Sequence, residues 1–390
     1  MNTIINLYQR LNEVTDFRKK YPEYQPGDGK IHILFLSPCL NETGYYRMIA
    51  PALELNRTES HSAILGHIHK WDFSKGFDDY DSPIDLRLVE WADYVVLPAI
   101  FTDAGYIIRS LRDINNDIEF VMDIDMNYHE LPDYHPEKRK MTEQALNNLV
   151  SNLSQVDVLT APNSLLLNYY HDLVQRSSKE FLLHFEIYPN LLSSFGMETI
   201  KDIKKNGRDL LRIGIITDPS QVEDLRSIEP AIVEFQMNQP GAVEFIVFGL
   251  PSKLAEQHGL FKDLQVSYEK PSPITEHVSK LNELAVDIGL IPMVGNSYNA
   301  SSGKAIIKYL NYASLMIPVI ATGITPFKHL IRAGESGFTA DTTAEWLEHL
   351  NFLKQNPEQR TAIGTEGFKT AWEHLSYTQA TIRRLKSVFI

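Results

Sequence analysis

Cysteine is almost absent from this chain, and its scarcity excludes two kinds of site. The 390 residues include one cysteine, Cys39. A single thiol forms no disulfide within the chain, and it cannot supply a cysteine-based zinc site. Cys39 directly follows an apolar segment, a place that favours a small, partly buried residue over a nucleophile.

Long hydrophobic runs are also missing. No apolar run approaches the ~20 residues that a membrane-spanning helix needs. The N-terminus lacks a basic segment followed by an apolar core, which is the pattern of a secretory signal. We therefore expect a cytoplasmic protein without a transmembrane segment.

Basic residues are too few for a general polyanion binder. The chain has 37 Lys and Arg against 50 Asp and Glu, a formal net charge of −13. Binding to nucleic acid or to an anionic membrane requires Lys or Arg at the phosphate contacts. The composition argues against broad binding of this kind, although a local basic groove remains compatible with it.

The length of the chain indicates two domains. A chain of 390 residues exceeds what one hydrophobic core normally supports. Its 43% hydrophobic and 22% charged residues are ordinary for a globular protein.

Residues 1–25 precede the regular alternation of strands and helices. An amphipathic helix is predicted there from the spacing of Ile5, Leu7, Tyr8, Leu11 and Val14. Packing against the protein is its expected role, and weak membrane or partner contact is the alternative.

Short apolar segments alternate with helical patterns, which indicates parallel sheets covered on both faces. In the first half we predict strands at Ile31–Leu36, Ser62–Leu65, Tyr94–Leu97, Glu119–Met122, Val156–Leu159 and Phe185–Tyr188. Helices are predicted between them at Tyr45–Leu55, Ala104–Ile114, Lys138–Ser154 and Asn163–Gln175. A polar segment, Lys201–Arg208, then reads as an interdomain linker.

The second half repeats this order. Predicted strands are Leu211–Ile216, Val243–Phe248, Leu264–Tyr268, Ile288–Pro292, Val319–Thr322 and Gly337–Ala340. Predicted helices are Val222–Asn238, Thr275–Leu284, Ala305–Ser314, Phe327–Ala333 and Ala344–Asn356, with a last helix towards Ile390. Two doubly wound, Rossmann-like halves are what this order describes.

The most informative segment is the βαβ step from Ile288 to Ala321. Lys304 and Lys308 lie one turn apart on one helix face, close to the helix start. Free main-chain N–H groups at a helix N-terminus and two ammonium groups make a site for a diphosphate. The alternative is that both lysines are simply solvated on an amphipathic helix.

Several motifs in order along the chain resemble a known family. They include Gly44-Tyr-Tyr-Arg47 after the first strand, Asp123-Ile-Asp125 after the fourth, Thr217-Asp-Pro219 after the seventh, and Lys304-x3-Lys308-x2-Asn311 followed by Ile317-Pro-Val-Ile-Ala321. From about Ile31 onward the chain is similar to GT-B glycosyltransferases, especially bacterial sugar-nucleotide-dependent enzymes of glycosyltransferase family 4.

This resemblance implies an α/β fold of two Rossmann-like doubly wound domains that face each other across a cleft. The expected domains are an acceptor-binding domain at 1–200, which includes the 1–25 extension, and a nucleotide-sugar-binding domain at 209–370. Residues 371–390 are expected to form a C-terminal helix that crosses back onto the first domain.

The resemblance also implies transfer of a sugar from a nucleoside-diphosphate sugar to an acceptor hydroxyl. The expected partners are the nucleotide sugar and a glycan, a lipid-linked acceptor or another hydroxyl acceptor. Retention of configuration, independence of a metal and the lack of a cofactor other than the co-substrate are expected on the same ground. The expected donor-binding residues are Thr217, Asp218, Tyr298, Lys304, Lys308, Asn311, Gly323 and Thr325. In this set the lysines hold the diphosphate, Asn311 the ribose and Tyr298 the base.

On the acceptor side, the resemblance points to the loop and helix start Gly44, Tyr45, Tyr46 and Arg47. Arg47 is a candidate to pair with phosphate. Asp123 and Asp125 end the fourth strand at the sheet edge where ligands bind, and with His129 they are the catalytic candidates. Binding of the acceptor hydroxyl is the preferred role of the two aspartates. The alternatives are proton transfer from that hydroxyl, capping of the next helix, and metal binding, which the resemblance disfavours. His129, in the following loop, is a candidate to lie near the donor sugar, and His135 lies in the same loop.

The sequence departs from the family at a pair of glutamates. Many retaining relatives have Glu-x7-Glu, and the corresponding positions here are Gly303 and Asn311. This departure keeps open a degenerate GT-B module that binds without transfer. Two further alternatives share the two-domain plan: an epimerase or phosphorylase, and a transferase whose acceptor is a hydroxylated base in DNA. For the last of these, the cluster Lys138-Arg-Lys140 is the one local hint, and the solvated start of a helix is the favoured interpretation of that cluster.

Overall fold

The computed structural model of this chain describes residues 3–36, 40–67, 84–177, 183–198, 200–207, 210–262 and 264–390. The side chains of Lys304 and Ala305 are outside this description, although both residues belong to a described helix. Cys39 and part of the predicted linker also lie outside the described residues, so the expectations about them stay predictions.

The described residues form two six-stranded sheets in which all the paired strands run parallel. The first sheet contains β1 Ile31–Phe35, β2 His61–Leu65, β3 Tyr94–Pro98, β4 Glu119–Asp123, β5 Val158–Ala161 and β6 His184–Ile187. The second contains β7 Leu211–Ile216, β8 Val243–Phe248, β9 Val266–Glu269, β10 Ile288–Ile291, β11 Val319–Thr322 and β12 Phe338–Ala340.

Both sheets reverse their strand order at one point. The first sheet has the order β2-β1-β3-β4-β5-β6, and the second has the order β12-β11-β10-β7-β8-β9. The chain therefore winds in opposite directions from β1/β3 and from β7/β10. In open parallel sheets, ligands bind outside the carboxyl ends of the strands at such switch points.

Helices cover both sheets. In the first half they are α1 Thr3–Glu13, α2 Phe17–Lys20, α3 Glu42–Gly44, α4 Ala50–Leu55, α5 Leu86–Trp91, α6 Gly105–Ile114, α7 Glu143–Leu153 and α8 Ser164–Ser177. In the second half they are α9 Val222–Met237, α10 Ser252–Gln257, α11 Ile274–Glu283, α12 Ser297–Ser301, α13 Lys304–Ser314, α14 Phe327–Leu330, α15 Thr343–Gln355, α16 Pro357–His374 and α17 Gln379–Lys386. Among the described residues, no helix combines the length and hydropathy of a bilayer-spanning segment.

The predicted order of strands and the two Rossmann-like domains are confirmed. The largest displacements are in β5 and β9, which begin at Val158 and Val266, two residues later than predicted. The predicted helix from Lys138 begins only at Glu143, because Thr142 caps α7 by accepting a hydrogen bond from the main chain of Ala145. Helices α2, α3, α5, α10 and α12 were not predicted. Helix α16 was also not predicted, and it ends at His374, inside the segment 371–390 that was expected to form the last helix.

The predicted helix at Tyr45–Leu55 is a composite. A π-helical turn, Tyr45–Ile49, follows α3 and leads directly into α4. All five residues of this turn are buried, so the turn is part of the core of the first domain.

The end of the chain crosses back onto the first domain, as predicted. A hydrogen bond from the main chain of Leu192 to the carbonyl of Leu375 brings the chain across. The ring of Phe389 then packs edge-on against Phe35 and Tyr94, with centroid distances of 6.4 and 5.3 Å. At the other end, α1 buries Ile4, Leu7 and Leu11, which agrees with the expectation that this helix packs against the protein.

Helix α13 lies beside the switch point of the second sheet and is bonded to it by a buried tyrosine. The main-chain N–H of Ile216 donates to the Tyr312 hydroxyl at 2.9 Å, and this hydroxyl donates to the carbonyl of Gly214 at 2.8 Å. Ile307 and Leu310 of the same helix belong to a hydrophobic cluster that continues into the first domain. The helix therefore contacts both halves of the molecule.

Candidate functional site

A cavity of about 320 Å³ lies between the carboxyl ends of the two sheets. Both domains line it. From the first domain come Asn41, Glu42, Thr43, His135, Pro136 and Glu137; from the second come Ile216, Thr217, Asp218, Pro219, Ser220, Gln221, Gly249, Pro271, Ser272, Ile274, His277 and Lys308. This is the position that the strand order predicts for a ligand.

The loop after β7 forms one wall of the cavity. Asp218 caps the short 3-10 turn Pro219–Gln221, because its carboxylate accepts from the main-chain N–H of Ser220 at 2.7 Å and from the Ser220 hydroxyl. Gly249 follows β8 with a φ of +110°, and a Cβ atom there would lie 2.0 Å from the carbonyl oxygen of Thr217. Only glycine allows the two loops to approach so closely.

Lys308 contributes a positive charge to this cavity. Its residue is 4% exposed. Close to it, the carboxylate of Asp224 accepts from the main chain of Val294 at 2.7 Å and from the Asn299 amide at 2.9 Å. Burial raises the pKa of Asp224, and the ammonium of Lys308 opposes this shift. Lys308 is thus a buried cation near a buried carboxyl group, in contrast to the alternative that it is solvated.

Gln221 brings a buried polar atom to the same wall. The residue is 4% exposed, and its amide donates weakly to Asp224, at 3.3 Å. Among the described residues, its Oε1 atom is buried and accepts no hydrogen bond. A buried acceptor in this state costs ~1–3 kcal/mol, so a ligand group that donates to Oε1 would recover this energy.

His277 forms another part of the wall. Its ring stacks on Phe248 with a centroid distance of 4.6 Å and an interplanar angle of 16°. Burial lowers the pKa of His277 to about 4. The imidazole is therefore neutral at pH 7, and its Nε2 atom, 3.9 Å from the Glu42 carboxylate, makes no charged pair with it.

Three of the predicted donor-binding residues line the cavity: Thr217, Asp218 and Lys308. The side chain of Lys304 lies outside the described residues, so its part in the site stays a prediction. Gly323 and Thr325 are not among the lining residues. The main-chain N–H of Gly323 instead donates to the Asp341 carboxylate at 3.0 Å, and Thr325 is exposed.

The structure corrects the placement of Tyr298 and Asn311. Tyr298 is 5% exposed, and its ring packs edge-on against His135 of the first domain at 5.5 Å, so it is not free to stack on a base. Asn311 is 1% exposed, and its Oδ1 atom accepts from the Tyr46 hydroxyl at 3.4 Å. Both side chains therefore lie in the contact between the domains rather than in the wall of the cavity.

Arg47 was expected to pair with phosphate and Asp123 with the acceptor hydroxyl, but the two side chains bind each other. The guanidinium of Arg47 donates to both oxygens of the Asp123 carboxylate, at 2.8 and 2.6 Å. Arg47 is 2% exposed and Asp123 4%. A third bond comes from the Thr160 hydroxyl, which donates to Asp123 at 2.6 Å. This ion pair lies in the core of the first domain, where neither partner reaches a phosphate or an acceptor in the cavity.

The remaining predicted residues of the first domain lie behind the cavity wall. Gly44, Tyr45 and Tyr46 are buried, while the preceding residues Asn41–Thr43 form the wall. Asp125 accepts a hydrogen bond from the Thr43 hydroxyl at 3.0 Å and is thus one residue removed from the cavity.

Of the two histidines in the loop after β4, the structure brings His135 rather than His129 to the cavity. His135 is 4% exposed, and its ring contacts Tyr298. His129 lies near the Tyr170 hydroxyl, at 3.4 Å, and lines a separate groove beside α7 and α8. The position of His129 as a residue near the donor sugar is therefore corrected.

Sequence reasoning missed Gln221, Gly249 and His277 as cavity residues. Gly249 carried a usable signal, since a glycine directly after a buried strand marks a close approach of main chain. Gln221 and His277 carried none, because both occur in ordinary polar helix starts. Within the described residues, no group of three or more His, Cys, Asp or Glu side chains has the arrangement of a metal site.

The fold is that of GT-B glycosyltransferases. A sucrose-phosphate synthase from Thermosynechococcus elongatus is 11% identical, with a TM-score of 0.57, over 92% of this chain and 98% of the other. An α-glucosyltransferase, solved with UDP-glucose and DNA containing an abasic site, is 11% identical, with a TM-score of 0.63, over 92% and 100%. TarM of S. aureus, solved with UDP, is 12% identical, with a TM-score of 0.50, over 78% of this chain.

The match to TarM spans only 58% of the length of that protein. No family model matches this chain, and no curated protein matches its sequence. Identities of 11–12% show the shared fold and do not show a shared chemistry.

The Arg47–Asp123 pair predicts an asymmetric response to mutation. Asp123→Leu leaves a buried guanidinium without its carboxylate, which costs about 3–5 kcal/mol of unfolding free energy. The double variant Arg47→Met/Asp123→Leu removes both charges, so we expect it to recover part of that loss. Urea unfolding followed by fluorescence measures the difference.

Glu335→Leu is the matched control, since Glu335 pairs with Arg332 at the surface, where both side chains are more than half exposed. We expect it to change the midpoint little, because exposed pairs contribute at most about 1 kcal/mol. A double variant that is less stable than Asp123→Leu would contradict the structural role of the pair.

His277 predicts a dependence of stability on pH. Its folded-state pKa of about 4 lies below the ordinary value of 6.5, so the unfolded chain binds the proton first as the pH falls. The stability that neutral His277 supports is present above about pH 6.5 and is lost by about 3 kcal/mol between pH 6.5 and 4. Unfolding of wild type and His277→Leu across this interval should give a flatter curve for the variant. Parallel curves would show that His277 titrates normally.

Proposed function

We propose that this chain is a glycosyltransferase that moves a sugar from a nucleoside-diphosphate sugar to an acceptor hydroxyl. The observation that carries the proposal is the position of Lys308: a buried ammonium lines a cavity between the carboxyl ends of two Rossmann-like sheets. The GT-B architecture supports it, since the α-glucosyltransferase and TarM structures similar to this chain were solved with UDP-glucose and with UDP.

In the proposed reaction, Lys308 acts on the leaving group. As the glycosidic bond breaks, negative charge grows on the diphosphate, and a nearby ammonium in a site of low polarity stabilises that charge. The Thr217 hydroxyl, which donates only at 3.5 Å to the Asp218 carbonyl, is the hydroxyl donor that we propose for a phosphate oxygen, since the Ser220 hydroxyl already donates to the Asp218 carboxylate. The main-chain N–H groups at the start of α13, an eleven-residue helix, add donors of the kind that bind anions.

The acceptor would approach from the first domain. Its wall carries the carboxylates of Glu42 and Glu137 and the imidazole of His135. Carboxylates accept hydrogen bonds from sugar hydroxyl groups, which suits a hydroxylated acceptor better than an anionic one. Retention of configuration and independence of metal and cofactor belong to the proposal as what the family resemblance implies.

The ribose requires another partner than the one predicted. Asn311 is buried under Tyr46 and does not line the cavity. Gln221, with its buried acceptor oxygen in the wall, is the replacement that we propose for one hydroxyl group of the donor. This arrangement would allow the chain to bind a donor without the Glu-x7-Glu pair.

Transfer to a hydroxylated base in DNA is the second candidate function. The α-glucosyltransferase solved with UDP-glucose and DNA has a TM-score of 0.63, and the match spans its whole length. The net charge of −13 opposes binding of DNA.

An assay of nucleoside-diphosphate release from the donor distinguishes the two acceptors. It is run with a panel of sugar acceptors and, separately, with duplex DNA that contains hydroxymethyl bases. Donor binding without release in any arm would indicate the binding module instead.

The donor site predicts a thermal shift that depends on Lys308. A ligand that binds only the folded chain adds about 2.7 kcal/mol of stability at a hundredfold excess over its Kd. We expect one nucleotide sugar of a panel to raise the Tm of the wild type, and Lys308→Met to remove this increase, because the ammonium that contacts the diphosphate is lost. Differential scanning fluorimetry measures both.

Lys369→Met is the control, because the Lys369 side chain is 59% exposed on α16 and pairs only with Glu366 among the described residues. It should keep the wild-type increase in Tm. An increase of equal size in Lys308→Met would place the phosphates elsewhere and would remove the main support for the proposal.

A further inference from the structure

A chain of buried polar contacts runs from the first sheet to the start of α13. The Arg47 guanidinium, held by Asp123, donates to the carbonyl of Tyr188 and, at 3.1 Å, to Oδ1 of Asn190. The Asn190 amide then donates to the carbonyl of Gly303 at 3.2 Å. Gly303 directly precedes α13, the helix that carries Lys308. The ion pair of the first domain thus connects to the candidate donor site of the second.

The direction of the Asn190 amide follows from this chain of contacts. A guanidinium offers only donors, so Asn190 must turn its oxygen towards Arg47. Its NH₂ group then faces the carbonyl of Gly303. Asp123 binds Arg47 through both carboxylate oxygens, which fixes the plane of the guanidinium and, through it, the orientation of Asn190.

A second asparagine makes an equivalent contact two residues earlier. The Asn163 amide donates to the carbonyl of Ser301 at 2.8 Å. Between the two contacts the main chain lies close to the first domain, because a Cβ atom on Gly303 would be 2.7 Å from the Asn190 amide nitrogen and 3.1 Å from the Pro162 ring. Two hydrogen bonds and one close approach therefore hold the segment 301–303.

We propose that Asn190 and Asn163 are positioning residues that hold the segment 301–303 against the first domain and so fix α13, the helix that carries Lys308 at the cavity. The part of this inference that concerns the donor rests on the proposed function. Gly303 occupies the position at which the resembling family carries the first glutamate. In this chain a side chain at position 303 would collide with Asn190 and Pro162. The main chain of Gly303 contacts the first domain there, and no glutamate side chain could be accommodated.

Hydrogen–deuterium exchange of the full-length chain tests the role of Asn190. In Asn190→Asp the carboxylate still accepts from Arg47 but has no donor for the carbonyl of Gly303. We expect amides in a peptide covering 297–308 to exchange about fivefold faster, the change that corresponds to one net hydrogen bond of ~1 kcal/mol. Peptides from β8 and α9 should keep their wild-type rates.

Asn148→Asp is the matched control. The Asn148 amide accepts from Gln144 and donates to the carbonyl of Phe101 at 2.9 Å, so the variant removes a similar bond within the first domain alone. It should leave exchange in 297–308 unchanged. Equal rates in Asn190→Asp, Asn148→Asp and wild type would overturn the inference.

Gly303→Ala tests the same contact from the other side, which keeps the inference testable if Asn190→Asp does not fold. The added methyl group collides with the Asn190 amide, and we expect the same faster amide exchange in 297–308. Unchanged exchange would overturn the inference.

Binding of UDP and GDP to the wild type is measured separately. If neither binds, the proposed function loses its support, while the exchange rates still decide the positioning role.

Discussion

The candidate site depends on the fixed position of α13 between the two sheets. Buried polar contacts hold this helix from both domains: the Tyr312 hydroxyl bonds it to β7, Asn311 accepts from Tyr46, and the carbonyl of Gly303 accepts from Asn190. Buried polar groups that lose their partners cost ~1–3 kcal/mol each. Displacement of the helix would break several such contacts together, and Lys308 keeps its place for this reason.

The charges around the cavity explain how an acidic protein can offer an anion site. Among the described lining side chains, Glu42, Glu137 and Asp218 carry negative charge and Lys308 positive charge. The carboxylates of Glu42 and Glu137 belong to the first domain. Lys308 and Asp218 belong to the second, where the Asp218 carboxylate accepts two hydrogen bonds from Ser220. A diphosphate is therefore attracted at Lys308 and repelled by the first-domain wall, whose carboxylates suit a hydroxylated acceptor. This separation orients donor and acceptor without a basic surface.

The architecture could be predicted from the sequence because parallel strands are buried on both faces and appear as short apolar runs. The strands and their order along the chain followed from that pattern, whereas the return of the last helix was expected only from the resemblance to GT-B enzymes. Thr217, Asp218 and Lys308 were placed at the cavity because they follow strands or begin a helix at the carboxyl edge.

Other residues could not be placed in this way. Arg47 and Asp123 have the same sequence context as cleft residues, but they are 76 positions apart, and the sequence does not show that they bind each other in the core. Tyr298 and Asn311 were assigned to the donor, yet contact between the domains buries them. Such long-range pairings depend on how the two domains meet, which local sequence does not determine.

If a diphosphate binds beside Lys308, isothermal titration calorimetry should separate UDP or GDP from the corresponding monophosphate. We expect the preferred diphosphate to bind at least about tenfold more tightly than its monophosphate, a difference of about 1.4 kcal/mol. This difference should disappear in Lys308→Met. Equal affinities for both nucleotides in the wild type, or a preference for the diphosphate that persists in Lys308→Met, would show that the diphosphate does not bind there.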